Sequence, residues 1–148
     1  MKPPVDLPAM LTAMIPFIDT VGIRIDSAAR GAATATLPAR HEVNNHMGTA
    51  HAGAVYTLGE SASGGVVLSL FGDLLPNLFV ALKSATVEHH KAAPGDVVAT
   101  ASLTGSGREI RAGYEASGKA DFDVVVEMAV GELPVATMTY TWAIRAPR

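Results

Sequence analysis

The sequence predicts an α+β fold in which a mostly antiparallel sheet packs on one long helix. Three observations carry this. First, Phe122, Val124, Val126, Met128 and Val130 alternate with Asp121, Asp123 and Glu127, and Met138, Tyr140, Trp142 and Ile144 alternate with Thr137, Thr139, Thr141 and Arg145. A period of two with one apolar face is the mark of half-buried strands. Second, residues 49–71 contain no proline and end at Gly72, which reads as one long helix. Third, a hairpin precedes that helix and a run of strands follows it, an order that makes a layered sheet-on-helix architecture.

The remaining elements follow from local chemistry. In residues 7–18 the apolar set Leu7, Met10, Leu11, Met14, Ile15 and Ile18 has a period close to 3.6, while Pro8 and Pro16 limit it to a short helix, expected to lie against the body as a lid. Val21, Ile23 and Ile25 alternate with Arg24 and Asp26. Ala29-Arg30-Gly31 supplies a turn, and Ala33, Ala35 and Leu37 alternate with Thr34 and Thr36. Residues 38–48 form a polar loop. Residues 78–90 are rich in strand formers and stop at the turn Ala93-Pro94-Gly95-Asp96, after which Val97, Ala99, Ala101 and Leu103 alternate with Thr100, Ser102 and Thr104. Ser106 followed by Glu109 is a capping box for a short helix that Gly118 should stop. Gly131-Glu132-Leu133-Pro134 turns the chain between the last two strands.

Composition bounds the function. A length of 148 residues fits a single domain spanning 1–148 with a real core. The net charge of −3 and scattered cations argue against nucleic acid. With 0 cysteines there is no disulfide, thiolate metal site or cysteine nucleophile, which fits a reducing, cytoplasmic setting. The first residues lack the basic, apolar and small-residue segments of a signal peptide. The greasiest stretch, 66–79, is broken by Ser69, Asp73 and Pro76 and falls short of a membrane span.

The long helix contains the residue that demands an explanation. Val55, Leu58, Ala62 and Val66 make one apolar stripe, with Gly53, Gly64, Val67 and Phe71 on the far side. Between Glu42 and Asp73 the only formally charged side chain is Glu60. A helix that is apolar all round is buried all round, and an unpaired buried carboxylate costs several kcal/mol. Either Glu60 reaches solvent through a gap in the packing, or it lines an enclosed pocket where desolvation raises its proton affinity and makes it a useful acid or base. The second reading is adopted. The helix start offers a complementary feature, because free N–H groups near Ala52 and Gly53 carry partial positive charge and small residues around them allow a carbonyl to approach.

The run Asn45-His46-Met47-Gly48-Thr49-Ala50-His51-Ala52-Gly53, followed by Leu58, Glu60, Ala62 and Gly64, resembles the signature segment of hotdog-fold acyl-CoA thioesterases of the phenylacetate-pathway type and a related branch of thioesterase-like proteins. The resemblance implies a hotdog fold, a homodimer whose sheets join edge to edge, pairing of dimers into a homotetramer, and an active site between subunits. It implies catalytic roles for Glu60, Asn45 and His51. Glu60 would activate water or attack the thioester carbonyl, amides at Ala52 and Gly53 would polarise that carbonyl, and Asn45 would orient the water or the carboxylate. Two departures stand out: Ala52 replaces a family glycine, and the Ser or Thr often supplied by the next strand has no counterpart around Ala81. Lys83 and Ser84 lie near that position and are carried as substrate-binding candidates, Lys83 toward the partner's carboxylate or the coenzyme A phosphates. No cofactor is implied.

Other readings are weaker. His41, His46 and His51 recur at five-residue spacing, with His89 and His90 beyond, but that spacing does not align on a helix face, so no metal site is assigned. His51 lies about 180° from Glu60 on the helix wheel, and its plain role is to brace the loop before the helix. The glycines near Gly105 and Gly64 lack nucleotide-loop spacing. Against the hydrolase stand a non-catalytic acyl-CoA or fatty-acid binding module on the same fold and, further off, a dehydratase.

Overall fold

A computed structural model describes residues 3–148. Six strands form one antiparallel sheet: β1 (Arg24–Ala29), β2 (Ala32–Leu37), β3 (Phe79–His89), β4 (Val97–Leu103), β5 (Lys119–Val130) and β6 (Leu133–Arg145), in the spatial order β1-β2-β4-β5-β6-β3. The helices are α1 (Leu7–Met14), α2 (Pro16–Val21), α3 (Ala52–Phe71) and α4 (Gly107–Ser117). α3 lies across β1, β2, β4, β5 and β6, and the curled sheet wraps it. This is the hotdog fold.

The wrapping depends on side-chain size. Where α3 crosses β2 and β4, the strands present Ala33, Ala35, Ala99 and Ala101, each 0% exposed, so the backbones approach closely. Larger residues fill the flanks, among them Val124, Val126, Met138, Tyr140 and Ile144. The outer face of the sheet is polar and ordered: Thr141 donates to Asp123 at 2.6 Å, Thr137 donates to Glu127 at 2.8 Å, and Arg145 pairs with Asp121 at 2.6 Å. The alternation seen in the sequence therefore sorts the two faces as expected.

β3 is different. It pairs with β6 on one side only, and beyond Leu82 all its residues are exposed. Val87 pairs with the buried Met138 yet is itself 39% exposed, because α3 does not extend over this part of the inner face. An eleven-residue strand with an unpaired edge is a template for another chain.

Two expectations need refinement. Residues 7–18 form two helices, not one, because Ile15 is held extended (φ −117°, ψ 93°) ahead of Pro16, as a residue preceding proline tends to be. The long helix begins at Ala52, not Thr49. Asn45 diverts the intervening chain into a turn, its Oδ1 accepting from the N–H groups of Met47 and Thr49 at 2.9 and 3.1 Å. The N-cap half of the expected capping box forms, with Ser106 Oγ accepting from the Glu109 N–H at 3.3 Å, and Gly118 ends α4 at φ +74°. Arg111 fastens α4 to the end of α3, donating to the Leu70 carbonyl and to both oxygens of Asp73, all at 2.8 Å. Among the described residues, no helix is long and apolar enough to cross a membrane.

Candidate active site

Glu60 sits on the side of α3 that the sheet does not cover. Successive helical residues advance about 100°, which gathers Glu60, Gly64, Val67 and Phe71 into one stripe. These residues form one wall of a cleft of about 500 Å³. Met14, Ile15 and Ile18 from the α1–α2 corner form a second wall, and Val80, Leu82 and Trp142 from the sheet form a third. Among the described residues, Glu60 is the only charged one lining the cleft.

The other polar side chains that line the cleft, Ser61 and Trp142, are already engaged. Ser61 Oγ donates to the Thr57 carbonyl at 2.6 Å, and Trp142 Nε1 donates to Ser63 Oγ at 3.0 Å. Burial raises the proton affinity of Glu60, with no neighbouring charge or hydrogen bond to offset it. Glu60 is half-buried and lines this cleft.

The helix is pinned beside Glu60 by a residue that the sequence reading placed only in the core. Tyr140 is 0% exposed, and its hydroxyl donates to the Tyr56 carbonyl at 2.7 Å. Burial, reinforced by nearby Tyr56 and Glu60, pushes the phenol well above its ordinary range, so it remains a donor. The alternation of β6 put Tyr140 on the inner face, but only the fold shows which carbonyl it meets.

The other candidates lie elsewhere. Asn45 and Ala52 line a second cleft of about 360 Å³, together with Thr49, His89, His90 and Lys91. Ala52 is eight residues before Glu60, about 12 Å along the helix axis, and the two line different clefts. His51 caps α3, its Nδ1 accepting from the Gly53 N–H at 2.8 Å. The Gly53 amide expected to be free is therefore occupied, and His51 must carry its proton on Nε2. Among the described residues, the Ala52 N–H has no acceptor. Asn45 spends its amide within its own loop, with Nδ2 donating to Thr49 Oγ1 at 2.9 Å.

Lys83 and Ser84 do not approach Glu60 within the chain. The ladder slips between Leu82 and Ser84, and Lys83 reaches Asp121 at 3.1 Å, while Ser84 pairs with the outward-facing Thr141. Leu82, just before the slip, is the residue that faces the cleft. His89, His90 and Lys91 beside the helix start were not read as site residues, although a basic run ending a strand was the available signal. Among the described residues, no group of three or more His, Asp or Glu side chains could hold a metal ion.

No curated protein matches the chain. Solved structures do. A Pseudomonas aeruginosa protein of unknown function, described as a probable thioesterase, is 23% identical, with 99% of this chain and 98% of that one aligned at a TM-score of 0.83. A thioesterase family protein from Silicibacter pomeroyi is 22% identical over 95% of this chain and 96% of its own, at a TM-score of 0.73. A mutant thioesterase, also from Pseudomonas aeruginosa, is 17% identical over 99% and 96%, at 0.76. At these identities the likeness establishes the fold. Residues 6–144 match the family described as "Domain of unknown function (DUF4442)", and the chain belongs to that family.

Proposed function

We propose that this protein, a single domain over residues 1–148, hydrolyses an acyl-CoA thioester with Glu60 as general base or nucleophile. The observation that carries the reading is a carboxylate without a partner, facing an apolar cleft large enough for a small ligand. A protein gains no stability from such a group, so its presence points to chemistry. As general base, Glu60 takes a proton from water as the water oxygen bonds to the thioester carbon. The carbonyl oxygen then carries negative charge, which an amide at a helix start can stabilise. The intermediate collapses with cleavage of the C–S bond, and the proton held by Glu60 passes to the departing thiolate. As nucleophile, Glu60 would instead bond to the thioester carbon and expel the coenzyme A thiolate, forming an anhydride that water then hydrolyses to free acid and regenerated Glu60.

Within one chain, Ala52 and Glu60 line separate clefts, so a complete site calls for a second copy. The unpaired edge of β3 and the uncovered Val87 support a homodimer joined through that strand, which can pair further into a tetramer. Asn45, His51 and the Ala52 amide of one copy would then meet Glu60 of the other, with His89, His90 and Lys91 near the coenzyme A phosphates. Lys83 and Ser84 face outward and would contribute only through a neighbouring copy. Coenzyme A ester substrates and the absence of cysteine fit a cytoplasmic protein.

Glu60→Gln tests the chemistry. Thiol release from an acyl-CoA panel should fall by about 10² or more, while binding of a non-hydrolysable analogue persists. Equal hydrolysis by wild type and variant would refute the role of Glu60. For assembly, Val87→Asp should convert a dimer to a monomer in sedimentation equilibrium and abolish turnover. An unchanged mass would refute the β3 interface. One observation favours the alternative of a non-catalytic acyl-CoA or fatty-acid binding module: His51 already occupies the Gly53 amide. Tight binding with no thiol release from any acyl-CoA would establish that alternative.

A further inference from the structure

Three glycines interrupt α3 at its packed positions, and each is unfavourable in a helix interior. Two have packing reasons. A Cβ at Gly59 would collide with the Tyr140 hydroxyl, and one at Gly65 would come within 2.9 Å of Ala33 Cβ. Gly64 has no such reason. The nearest atoms to a Cβ there are the methyls of Leu11, at 3.8 and 4.0 Å, which is ordinary contact, and the backbone is plainly helical. What the missing side chain leaves is space in the cleft, one helical turn beyond Glu60.

The cleft continues past Gly64 along Val67 and Leu68 to Phe71, eleven residues from Glu60 and about 16 Å along the axis. Its walls are aliphatic or aromatic. The polar side chains in it other than Glu60, Ser61 and Trp142, donate their hydrogens to protein acceptors. An acyl group bearing a hydroxyl or a second carboxylate would find no free partner there and would lose its hydration without compensation.

We propose that Gly64 sets the acyl-chain capacity of this site and that the substrate class is a straight, unsubstituted aliphatic acyl thioester of medium to long chain. The carbonyl lies beside Glu60 and the chain passes over Gly64 toward Phe71. This rests on the hydrolase reading of Glu60, and the experiment separates the two. Thiol release is measured for saturated acyl-CoAs from acetyl to palmitoyl with wild type, Gly64→Ala and Gly64→Leu, each variant first checked for a native circular dichroism spectrum and melting transition. In the wild type, kcat/KM rises with chain length. Gly64→Leu loses at least about tenfold on lauroyl and longer chains, the scale at which a pocket discriminates small changes of apolar bulk. Its loss on butyryl is several-fold smaller than on lauroyl, and Gly64→Ala falls between wild type and Gly64→Leu.

A wild type that favours acetyl or shows no length dependence overturns the inference, as does a Gly64→Leu variant that loses the same factor on every chain. If no acyl-CoA releases thiol, the hydrolase reading fails. Chain capacity is then read from calorimetry with S-alkyl-CoA thioethers of the same lengths. Tight dodecyl binding that Gly64→Leu removes supports the inference, and affinity independent of length or of Gly64 overturns it.

Discussion

The packing of α3 against Tyr140 at Gly59 gives the sharpest test of how Glu60 is positioned. At Gly59 an added Cβ would fall well inside van der Waals contact distance of the Tyr140 hydroxyl and lie 3.1 Å from two ring carbons. Tyr140 cannot swing away, because it is fully buried, its hydroxyl is bonded to the Tyr56 carbonyl, and its ring packs against Tyr56 at 5.4 Å. Gly59→Ala therefore costs an overpacking term of about 1–3 kcal/mol and a buried hydrogen bond of about 1 kcal/mol. The better helix propensity of alanine returns about 1 kcal/mol. The net destabilisation is about 2 kcal/mol.

Tyr140→Phe alone removes one hydrogen bond while Tyr56 keeps its helical partner, a loss of about 1 kcal/mol. In the double variant the colliding oxygen is gone, and the 3.1 Å contact with the ring requires a shift of only a few tenths of an ångström. Its total cost should be about 1 kcal/mol, well below the sum of the single variants, a coupling of about 2 kcal/mol. Urea unfolding of the four proteins at constant m-value measures it. Additivity within about 0.5 kcal/mol would show that Gly59 and Tyr140 do not share a steric constraint, and the reasoning would fail.

Four further outcomes follow. Burial raises the proton affinity of Glu60 above its ordinary value of 4.5, so its contribution to stability is present below that value and is lost as pH rises through the higher folded-state value. Glu60→Gln should thus match wild type in acid and gain on it with rising pH until Glu60 is fully ionised, as followed by melting temperature; a constant difference would place Glu60 in water. For the same reason the acidic limb of the turnover profile should lie above the ordinary carboxylate range. Arg111→Ala removes the bonds to Leu70 and Asp73 and a guanidinium stacked 5.7 Å from the Phe71 ring. It should cost about 2 kcal/mol in urea unfolding, most of it from the carbonyl bond and the stacking and little from the exposed ion pair. Gly64→Ala should stabilise the protein by about 0.5–1 kcal/mol while it shortens the accepted chain, and a destabilised variant would mean that the position is constrained by packing.

Most of the architecture was legible because it rests on periodicity. The alternation of β5 and β6, the unbroken run of α3 and the cap of α4 are all local, and the structure reproduces them. What failed was local chemistry overruled by a neighbour. Asn45 competes for backbone amides and delays the helix to Ala52, and His51 takes the Gly53 amide that the helix end seemed to leave open. The slip after Leu82 turns Lys83 toward Asp121, and no period-two count could have foreseen it. Glu60 was found because charge in an apolar helix is visible in one dimension. That it lines a pocket could be expected for the same reason, but the walls of that cleft could not, because a cavity is defined by what three separate segments leave unfilled.

The position of that cleft follows from an incompleteness in the fold. α3 is covered by five strands, and the stripe that carries Glu60 faces the inner side of β3, an edge strand. Had the sheet closed over this side, Glu60 would have to be neutral or absent, since a fully buried unpaired carboxylate is not sustainable. Had the stripe been left open to water, Glu60 would be an ordinary surface glutamate with no elevated proton affinity. The α1–α2 corner produces the intermediate state: Leu11 and Ile18 are buried as anchors, while Met14 and Ile15 remain 46% and 40% exposed at the wall. The same margin that makes room for a ligand leaves β3 with an unpaired edge. A second copy docked on that edge would close the site and bring a helix start toward the carboxylate, so assembly and catalysis are expected to fail together when β3 is disrupted.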